Sequence, residues 1–327
     1  MTLKKENRIA HMALALSLLV GSFSLFSITF GLQNNKQAFY TNNRDKIIQK
    51  APRTGLQLGN NRLFSFSEEE VNEVVESKYI LQQLERLGNI NANSFLVGDL
   101  DTGEVIFQRK PNTIYPIASI TKYMTAYTAA ENFDPNELAE ITSEKLKVEG
   151  SRARFKIGDS LTIRELLYPL LLVSSNDAGE ILAAQRNREL FVAQLTQSAR
   201  KLGMNNTNFN DPTGLSKGNS STATDLFIMM RGVRDEYPQI IDISRLSFKE
   251  NGSYLWQNIN KASTFPEFRG GKTGYTNAAR QTSIGYYQIK LANDQTKNIA
   301  VVILQSNTRQ QDTRNVLDYL KRYVAYL

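Results

Sequence analysis

Ser119 and Lys122 are the pair best placed to do chemistry, in the stretch Pro116-Ile-Ala-Ser119-Ile-Thr-Lys122-Tyr-Met-Thr-Ala126. A serine hydroxyl is a weak nucleophile until a base removes its proton. A lysine can be that base only when burial or a nearby cation lowers its pKa far enough to leave it neutral. Positions i and i+3 share one face of a helix, so a helix beginning after Pro116 would set Lys122 one turn above the Ser119 hydroxyl. The Ile, Ala and Met neighbours predict a helix buried on most sides, which would supply the desolvation.

Composition removes the competing machinery. The 327 residues include no cysteine, and the single histidine, His11, lies in an apolar N-terminal run. A Ser-His-Asp triad, a cysteine nucleophile and a histidine-ligated zinc are excluded, and neither a metal nor a cofactor is implied. The net charge of +7 comes partly from the N-terminal segment, and no basic stripe is interleaved with aromatics. Nucleic-acid binding is therefore not supported. A basic surface suits anionic wall polymer or lipid headgroups, and equally a plain solvated exterior. Gly271-Lys272-Thr273 imitates the end of a phosphate-binding loop, but that motif needs a glycine five residues before Gly271. Pro266 stands there.

Ser-x-x-Lys is a weak pattern alone, and Ser198-x-x-Lys201 matches it too. Two further triplets break the tie. Ser174-Ser175-Asn176 is the only Ser-x-Asn in the chain, and Lys272-Thr273-Gly274 the only Lys-Thr-Gly; both follow Ser119 in order, whereas no Ser-x-Asn follows Ser198. In order, the triplets resemble those of the penicillin-recognising serine enzymes. Their surroundings resemble the D-alanyl-D-alanine carboxypeptidases, the low-molecular-mass penicillin-binding proteins. The matching phrases are Asp99-Leu-Asp-Thr-Gly103, Ala118-Ser-Ile-Thr-Lys122, Leu171-Leu-Val-Ser-Ser-Asn-Asp-Ala178 and Asp211-Pro-Thr-Gly-Leu215. Ser221-Thr-Ala-Thr-Asp-Leu226 and Gly271-Lys-Thr-Gly-Tyr-Thr-Asn-Ala-Ala279 continue the match.

That resemblance implies a serine peptidase acting on peptidoglycan stem peptides that end in D-Ala-D-Ala, with β-lactam antibiotics as covalent inhibitors. Ser119 would attack the D-Ala-D-Ala peptide carbonyl while neutral Lys122 takes its proton. The backbone N–H groups of Ser119 and Tyr275 would form the oxyanion hole, worth a few kcal/mol per donor. Ser174 and Lys272 would pass a proton to the leaving amine, and Lys272 would help keep Lys122 neutral. Asn176 would orient the peptide amide, and Thr273, ahead of Gly274, would hold the terminal carboxylate. A class A β-lactamase shares the triplets, but no Glu-x-x-x-Asn pattern stands where its deacylating glutamate is expected, around Asp211-Pro-Thr-Gly-Leu215. A β-lactam sensor would need a cytoplasmic signalling domain, and eight N-terminal residues are too few for one. A DD-endopeptidase that cuts cross-links stays open. The chain ends at its final predicted helix, without the second β-rich domain common in the carboxypeptidases, a build also found among endopeptidase relatives. Ala279-Arg280-Gln281 departs from the family's Ala-Gly-aromatic pattern and bears on substrate preference.

The elements that must position these groups follow from the pattern. Residues 1–8 form a short basic tail, and Ile9–Leu32 is a run of 24 residues free of Asp, Glu, Lys and Arg. As a helix it would span about 36 Å, enough for a hydrocarbon core of about 30 Å. The basic start predicts the N-terminus inside and everything downstream outside the cytoplasm. Length and the missing Ala-x-Ala site favour an uncleaved transmembrane helix over a cleaved signal peptide. Residues 33–66 read as a flexible tether and residues 67–327 as the catalytic domain. Ser67 and the acids after it predict a helix from there to Leu87. Phe95–Leu100 and Val105–Arg109 read as a hairpin. Leu161–Leu172 reads as a helix capped by Ser160 and disturbed by Pro169, and Asp177–Gln185 as a second. Residues 188–203 and 223–234 are helical by spacing, Thr282–Ile289 and Ile299–Leu304 are strands, and a helix runs towards Leu327. The pattern predicts an α+β fold class, and the resemblance implies that it is of the β-lactamase/DD-peptidase type. A central antiparallel sheet is flanked by helices, with the N- and C-terminal helices on one face, plus an all-helical subdomain.

Overall fold

A computed structural model describes residues 62–65, 75–83, 87–146, 148–150 and 152–327. The predicted transmembrane helix 9–32 and most of the tether lie outside the described residues. Among the described residues, no helix is long and apolar enough to cross a membrane.

The first elements are β1 (Arg62–Ser65), β2 (Val75–Leu81), β3 (Ser94–Asp99), β4 (Val105–Arg109) and β5 (Tyr115–Pro116). A 3-10 turn (Ala118–Ile120), α1 (Thr121–Asn132), β6 (Leu138–Glu140) and β7 (Ser160–Thr162) follow. Next come α2 (Ile163–Leu172), α3 (Asn176–Ala183), α4 (Arg188–Lys201), β8 (Ser220–Ser221), α5 (Ala223–Glu236) and α6 (Pro238–Arg245). The chain then returns through β9 (Phe248–Asn251), β10 (Tyr254–Gln257), a second 3-10 turn (Lys261–Thr264), β11 (Phe268–Thr276), β12 (Arg280–Lys290) and β13 (Thr296–Ser306). It closes with α7 (Arg309–Tyr323) and β14 (Val324–Tyr326).

The central sheet has the order β11-β12-β13-β3-β4, antiparallel throughout. Strands from both ends of the sequence meet at its middle, with the helices inserted between, as the sequence predicts. Both faces of that middle are covered. Ile299–Leu304 in β13 is a continuous apolar run, buried at every position, the pattern of a strand packed on both sides. Ala300, Val302 and Leu304 join Leu96, Ile284 and the buried sides of α1 and α5 in one core. On the other face α7 packs against β12 and β13, burying Val316, Leu317 and Leu320. β11 is left as an edge strand.

Three expectations need correction. The helix predicted from Ser67 to Leu87 is not formed over Val75–Leu81, which is strand β2, paired antiparallel with β1 and β14. Ser77 and Tyr79 point inward while Lys78 is exposed, a period of two that the longer helical spacing obscures. Tyr79 is fully buried and donates its hydroxyl to Asp99 Oδ2 at 2.6 Å. One of its two partners is the last stretch of the chain, invisible to local pattern. Consequently, among the described residues, α7 covers its face of the sheet without the expected N-terminal helix, and the chain's end is strand rather than helix. The third correction is small. α2 starts at Ile163 and is capped by Thr162, whose side chain accepts from Glu165 N, while Glu165 reaches back to Thr162 N. This reciprocal capping box satisfies two orphan N–H groups, and Ser160 lies in β7.

Candidate active site

Ser119 sits in the 3-10 turn that leads directly into α1, whose second residue is Lys122. Side chains at i and i+3 eclipse in such a turn, so Lys122 Nζ lies 3.0 Å from Ser119 Oγ. Ala118, just before the serine, has φ of 50°, an uncommon conformation for a residue with a Cβ. It is held there from outside. Thr282 Oγ1 donates to Ile117 O at 3.0 Å, and Ile117 N donates to Asn219 O at 3.0 Å. The turn Asp211-Pro-Thr-Gly214 presses against it so closely that a Cβ on Gly214 would fall 2.0 Å from Ala118 O.

The amine of Lys122 is fully buried. It donates to Asn176 Oδ1 at 2.7 Å and to Thr213 O at 2.6 Å. Both partners are pure acceptors. A neutral amine has two N–H bonds and one lone pair, so these two bonds leave the lone pair for the Ser119 hydroxyl. Burial lowers the Lys122 ammonium to about 7; Asp211, Asp177 and Glu180 oppose the drop, and Arg152 adds to it. Lys272, from β11, is also fully buried, and burial together with the charges of Lys122, Arg309 and Arg152 pushes it well below the lysine range. Two lysines side by side in an apolar site cannot both stay charged. Lys272 Nζ donates to Thr273 O at 2.8 Å.

Asn176 is the first residue of α3, capped by Ser175. Its Nδ2 donates to Glu149 O at 2.6 Å, which fixes Oδ1 towards Lys122. Ser174 holds φ of 57° at the corner between α2 and α3 and is nearly buried. Gly274 lets β11 come close to the nucleophile: a Cβ there would be 2.8 Å from Ser119 N. Any side chain would therefore crowd the amide expected to receive the oxyanion. Thr273 and Tyr275 pair with Ser283 and Gln281, whereas Lys272 and Gly274 pair with Ile284 and Thr282. Directly opposed residues share a face, so Thr273 and Tyr275 point away from the face that meets the catalytic turn. Tyr275 is mostly exposed, its hydroxyl donating to Asn277 Oδ1 at 3.3 Å.

The structure thus brings Ser119, Lys122 and Asn176 into one hydrogen-bonded cluster, with Lys272 in electrostatic contact and Ser174, Gly274 and Tyr275 beside it in the chain. The decoy pair is disarmed. Ser198 Oγ donates to Glu131 Oε2 and Lys201 Nζ pairs with Glu131 Oε1, both at 2.6 Å. Hydrogen bonding to Glu131 raises the Lys201 pKa, so its amine stays charged. Three positioning residues have no role in the sequence reading. Asp211 accepts from the Thr213 hydroxyl and from the backbone of Ser216, Thr213 and Gly214; burial alone would raise its carboxyl, but these bonds hold it below its usual value. Arg309, at the start of α7, donates to Gly274 O at 2.6 Å, and Arg152 contributes charge to both lysines. The Asp211-Pro-Thr-Gly phrase was the available signal for the first; nothing local marks the two arginines.

A family model described as D-alanyl-D-alanine carboxypeptidase matches residues 80–308. The chain belongs to this family. A D-alanyl-D-alanine carboxypeptidase of Mycobacterium tuberculosis is 35% identical over 202 residues, covering 59% of this chain and 69% of the relative. A D-alanyl-D-alanine endopeptidase of Escherichia coli is 32% identical over 202 residues, covering 58% of this chain and 65% of the relative. The crystal structure of a Mycobacterium tuberculosis D-alanyl-D-alanine carboxypeptidase superposes with a TM-score of 0.68 at 28% identity, covering 73% of this chain and 94% of that one. The family match and the superposition agree on the fold, and residues 80–308 include all three triplets.

If Arg152 lowers Lys122, its removal must move the pH profile. The rate of Ser119 acylation should rise as Lys122 loses its proton, with a midpoint near 7. In Arg152→Gln that limb should shift to higher pH, leaving the plateau above it unchanged within about twofold, because only the neutral amine accepts the serine proton. Stopped-flow acylation by a chromogenic cephalosporin across pH gives both numbers; an unshifted limb would exclude Arg152 from the electrostatics of the site.

Proposed function

We propose that the chain is a serine-type D-Ala-D-Ala carboxypeptidase that trims peptidoglycan stem peptides through an acyl-enzyme on Ser119. The observation that carries this reading is the triple coordination of Lys122 Nζ by Ser119 Oγ, Asn176 Oδ1 and Thr213 O. It makes the amine a base aimed at one hydroxyl. Ser119 attacks the carbonyl of the penultimate D-alanine, and its proton passes to Lys122. The oxyanion is received by the N–H groups of Ser119 and Tyr275. The terminal D-alanine leaves as the amine, protonated from the Lys122, Ser174 and Lys272 group. Water then hydrolyses the ester by the same route reversed. The cations Arg309 and Arg152 around the site favour a substrate whose leaving group carries a carboxylate, with Thr273 at its rim, and Asn176 orients the substrate amide once its bond to Lys122 is exchanged. β-Lactams, which mimic the acyl donor, would acylate the same oxygen. A second reading, cleavage of cross-links, is favoured by the Escherichia coli relative, which is named an endopeptidase.

The place of action follows from the N-terminus. Ile9–Leu32 would anchor the domain at the outer face of a bacterial cytoplasmic membrane, with residues 33–66 as a coil reaching roughly 30–35 Å. Edman sequencing of the native protein should find the start at Met1 or Thr2; a mature start near residues 25–35 would show a cleaved leader and remove the anchor while leaving the chemistry intact.

Ser119→Ala should lose fluorescent-penicillin labelling and D-Ala release by at least about 10³-fold, the scale of nucleophile removal. Lys122→Arg should be comparably inactive, because a guanidinium stays protonated. Ser198→Ala should retain both activities within about twofold. Labelling that follows Ser198 and ignores Ser119 would reverse the assignment.

A further inference from the structure

Asn219 is fully buried, and its side chain joins two segments of the site. Its Oδ1 accepts from Asn210 N at 2.9 Å and from Asp211 N at 3.2 Å. Its Nδ2 donates to Asp211 O at 2.8 Å and to Thr121 Oγ1 at 3.0 Å. An amide side chain has two donors and an oxygen with two lone pairs, so all four places are filled. Two backbone N–H groups require the oxygen on one side, and the Asp211 carbonyl requires the NH2 on the other, which fixes the way the amide points. The backbone of the same residue is engaged as well. Asn219 directly precedes β8 and Ile117 directly follows β5, and the β5–β8 ladder carries on into the bond from Ile117 N to Asn219 O at 3.0 Å.

The two segments are the two halves of the acylation machinery. Ile117 and Thr121 bracket Ser119: one precedes the strained Ala118, and the other opens α1 beside Lys122. Asn210 and Asp211 lead into the turn whose Thr213 O takes an N–H of Lys122 at 2.6 Å. We propose that Asn219 is a positioning residue for acylation, its amide setting the separation between the turn that carries the nucleophile and the turn that orients the base; the inference rests on the Ser119 peptidase reading. Asp211 orders its own turn through Thr213, Gly214 and Ser216, and those bonds do not reach the catalytic helix. The bond of Thr125 Oγ1 to Pro212 O lies beyond Lys122 along α1. The close approach of Gly214 to Ala118 resists compression but not separation. The Asn219 amide holds the turns together on the serine side. A buried amide with every bond made is rigid, because each bond lost leaves an unpaired polar group out of water. A misplacement of about 1 Å in a reacting group costs about 10²-fold in rate. Asn219 has no exposed surface for a substrate to touch, so its removal should slow acylation and leave binding alone.

Stopped-flow acylation of the full-length protein in detergent by a chromogenic cephalosporin separates the acylation rate constant from the dissociation constant of the non-covalent complex. Asn219→Ala should lower the rate constant at least about tenfold and leave the dissociation constant within about twofold. Thr121→Val keeps the branched shape, removes only the hydroxyl that Asn219 bonds, and should also slow acylation. In Asn219→Ala/Thr121→Val the loss should be smaller than the product of the two single losses, because groups joined by one hydrogen bond are not independent. Ser94→Ala controls for general loosening: it removes a fully buried hydroxyl bonded to Lys110 O at 3.0 Å in the central sheet, and should acylate within about twofold of wild type. An unchanged rate constant in Asn219→Ala, losses that multiply, or a rate constant and dissociation constant that worsen together overturn the assignment of Asn219 while the Ser119 reading stands. If Asn219→Ala does not fold, Thr121→Val decides: slowed acylation with unchanged binding supports the assignment, and acylation at the wild-type rate overturns it. A wild-type protein that is not acylated on Ser119 overturns the peptidase reading itself.

Discussion

The arrangement depends on one buried amine. Lys122 Nζ is removed from water and its two N–H bonds are spent on Asn176 Oδ1 and Thr213 O. What remains is a lone pair directed at Ser119. Holding the group near 7 rather than at its ordinary 10.5 costs on the order of 5 kcal/mol. The sign follows from linkage. The unfolded chain takes up this proton near 10.5 and the folded chain near 7, so the cost grows as pH falls between those values and is complete below 7. The fold gives up stability at neutral pH to keep a base ready there.

The surroundings can be understood as what that amine needs. Thr213 offers its carbonyl only because Asp211 gathers the N–H groups of the turn around itself. Gly214 lets that turn touch the strained Ala118, and Thr125 Oγ1, one turn along the same face of α1 as Lys122, donates to Pro212 O at 2.6 Å. Asn176 is aimed by the cap of α3 and by Glu149 O. From the opposite side, β11 delivers Lys272, whose own depressed pKa spares Lys122 a permanent cationic neighbour. Each contact joins segments far apart in the chain, so the site forms only when the sheet and the helical region close together.

This explains what could be read from the sequence. Ser119, Lys122, Asn176 and Lys272 were legible because the chemistry fixes residue types in short triplets, and the absence of cysteine and of a usable histidine left lysine as the base. The same spacing at Ser198 and Lys201 shows the limit of such reading: Glu131, many residues away, keeps that lysine charged. Strands β3 and β13 were legible because both their faces are buried over Phe95–Val97 and Ile299–Leu304, where the apolar run is unbroken. Val75–Leu81 is a strand against its local helical spacing because β1 pairs with one edge and the far C-terminal β14 with the other, and that pairing outweighs local spacing. Arg152 and Arg309 carried no local mark, being cations on otherwise polar segments that matter only for what they face. The register of β11, which turns Thr273 and Tyr275 away from the catalytic turn, was likewise fixed only by its pairing.

The central claim is the protonation state of Lys122 in the resting enzyme, and it can be observed without substrate. With lysines labelled at Cε, the Lys122 resonance is assigned by its loss in Lys122→Arg, and its chemical shift is followed with pH. The account predicts a midpoint near 7. A midpoint close to the ordinary lysine value of about 10.4 would leave Ser119 without a base and contradict it.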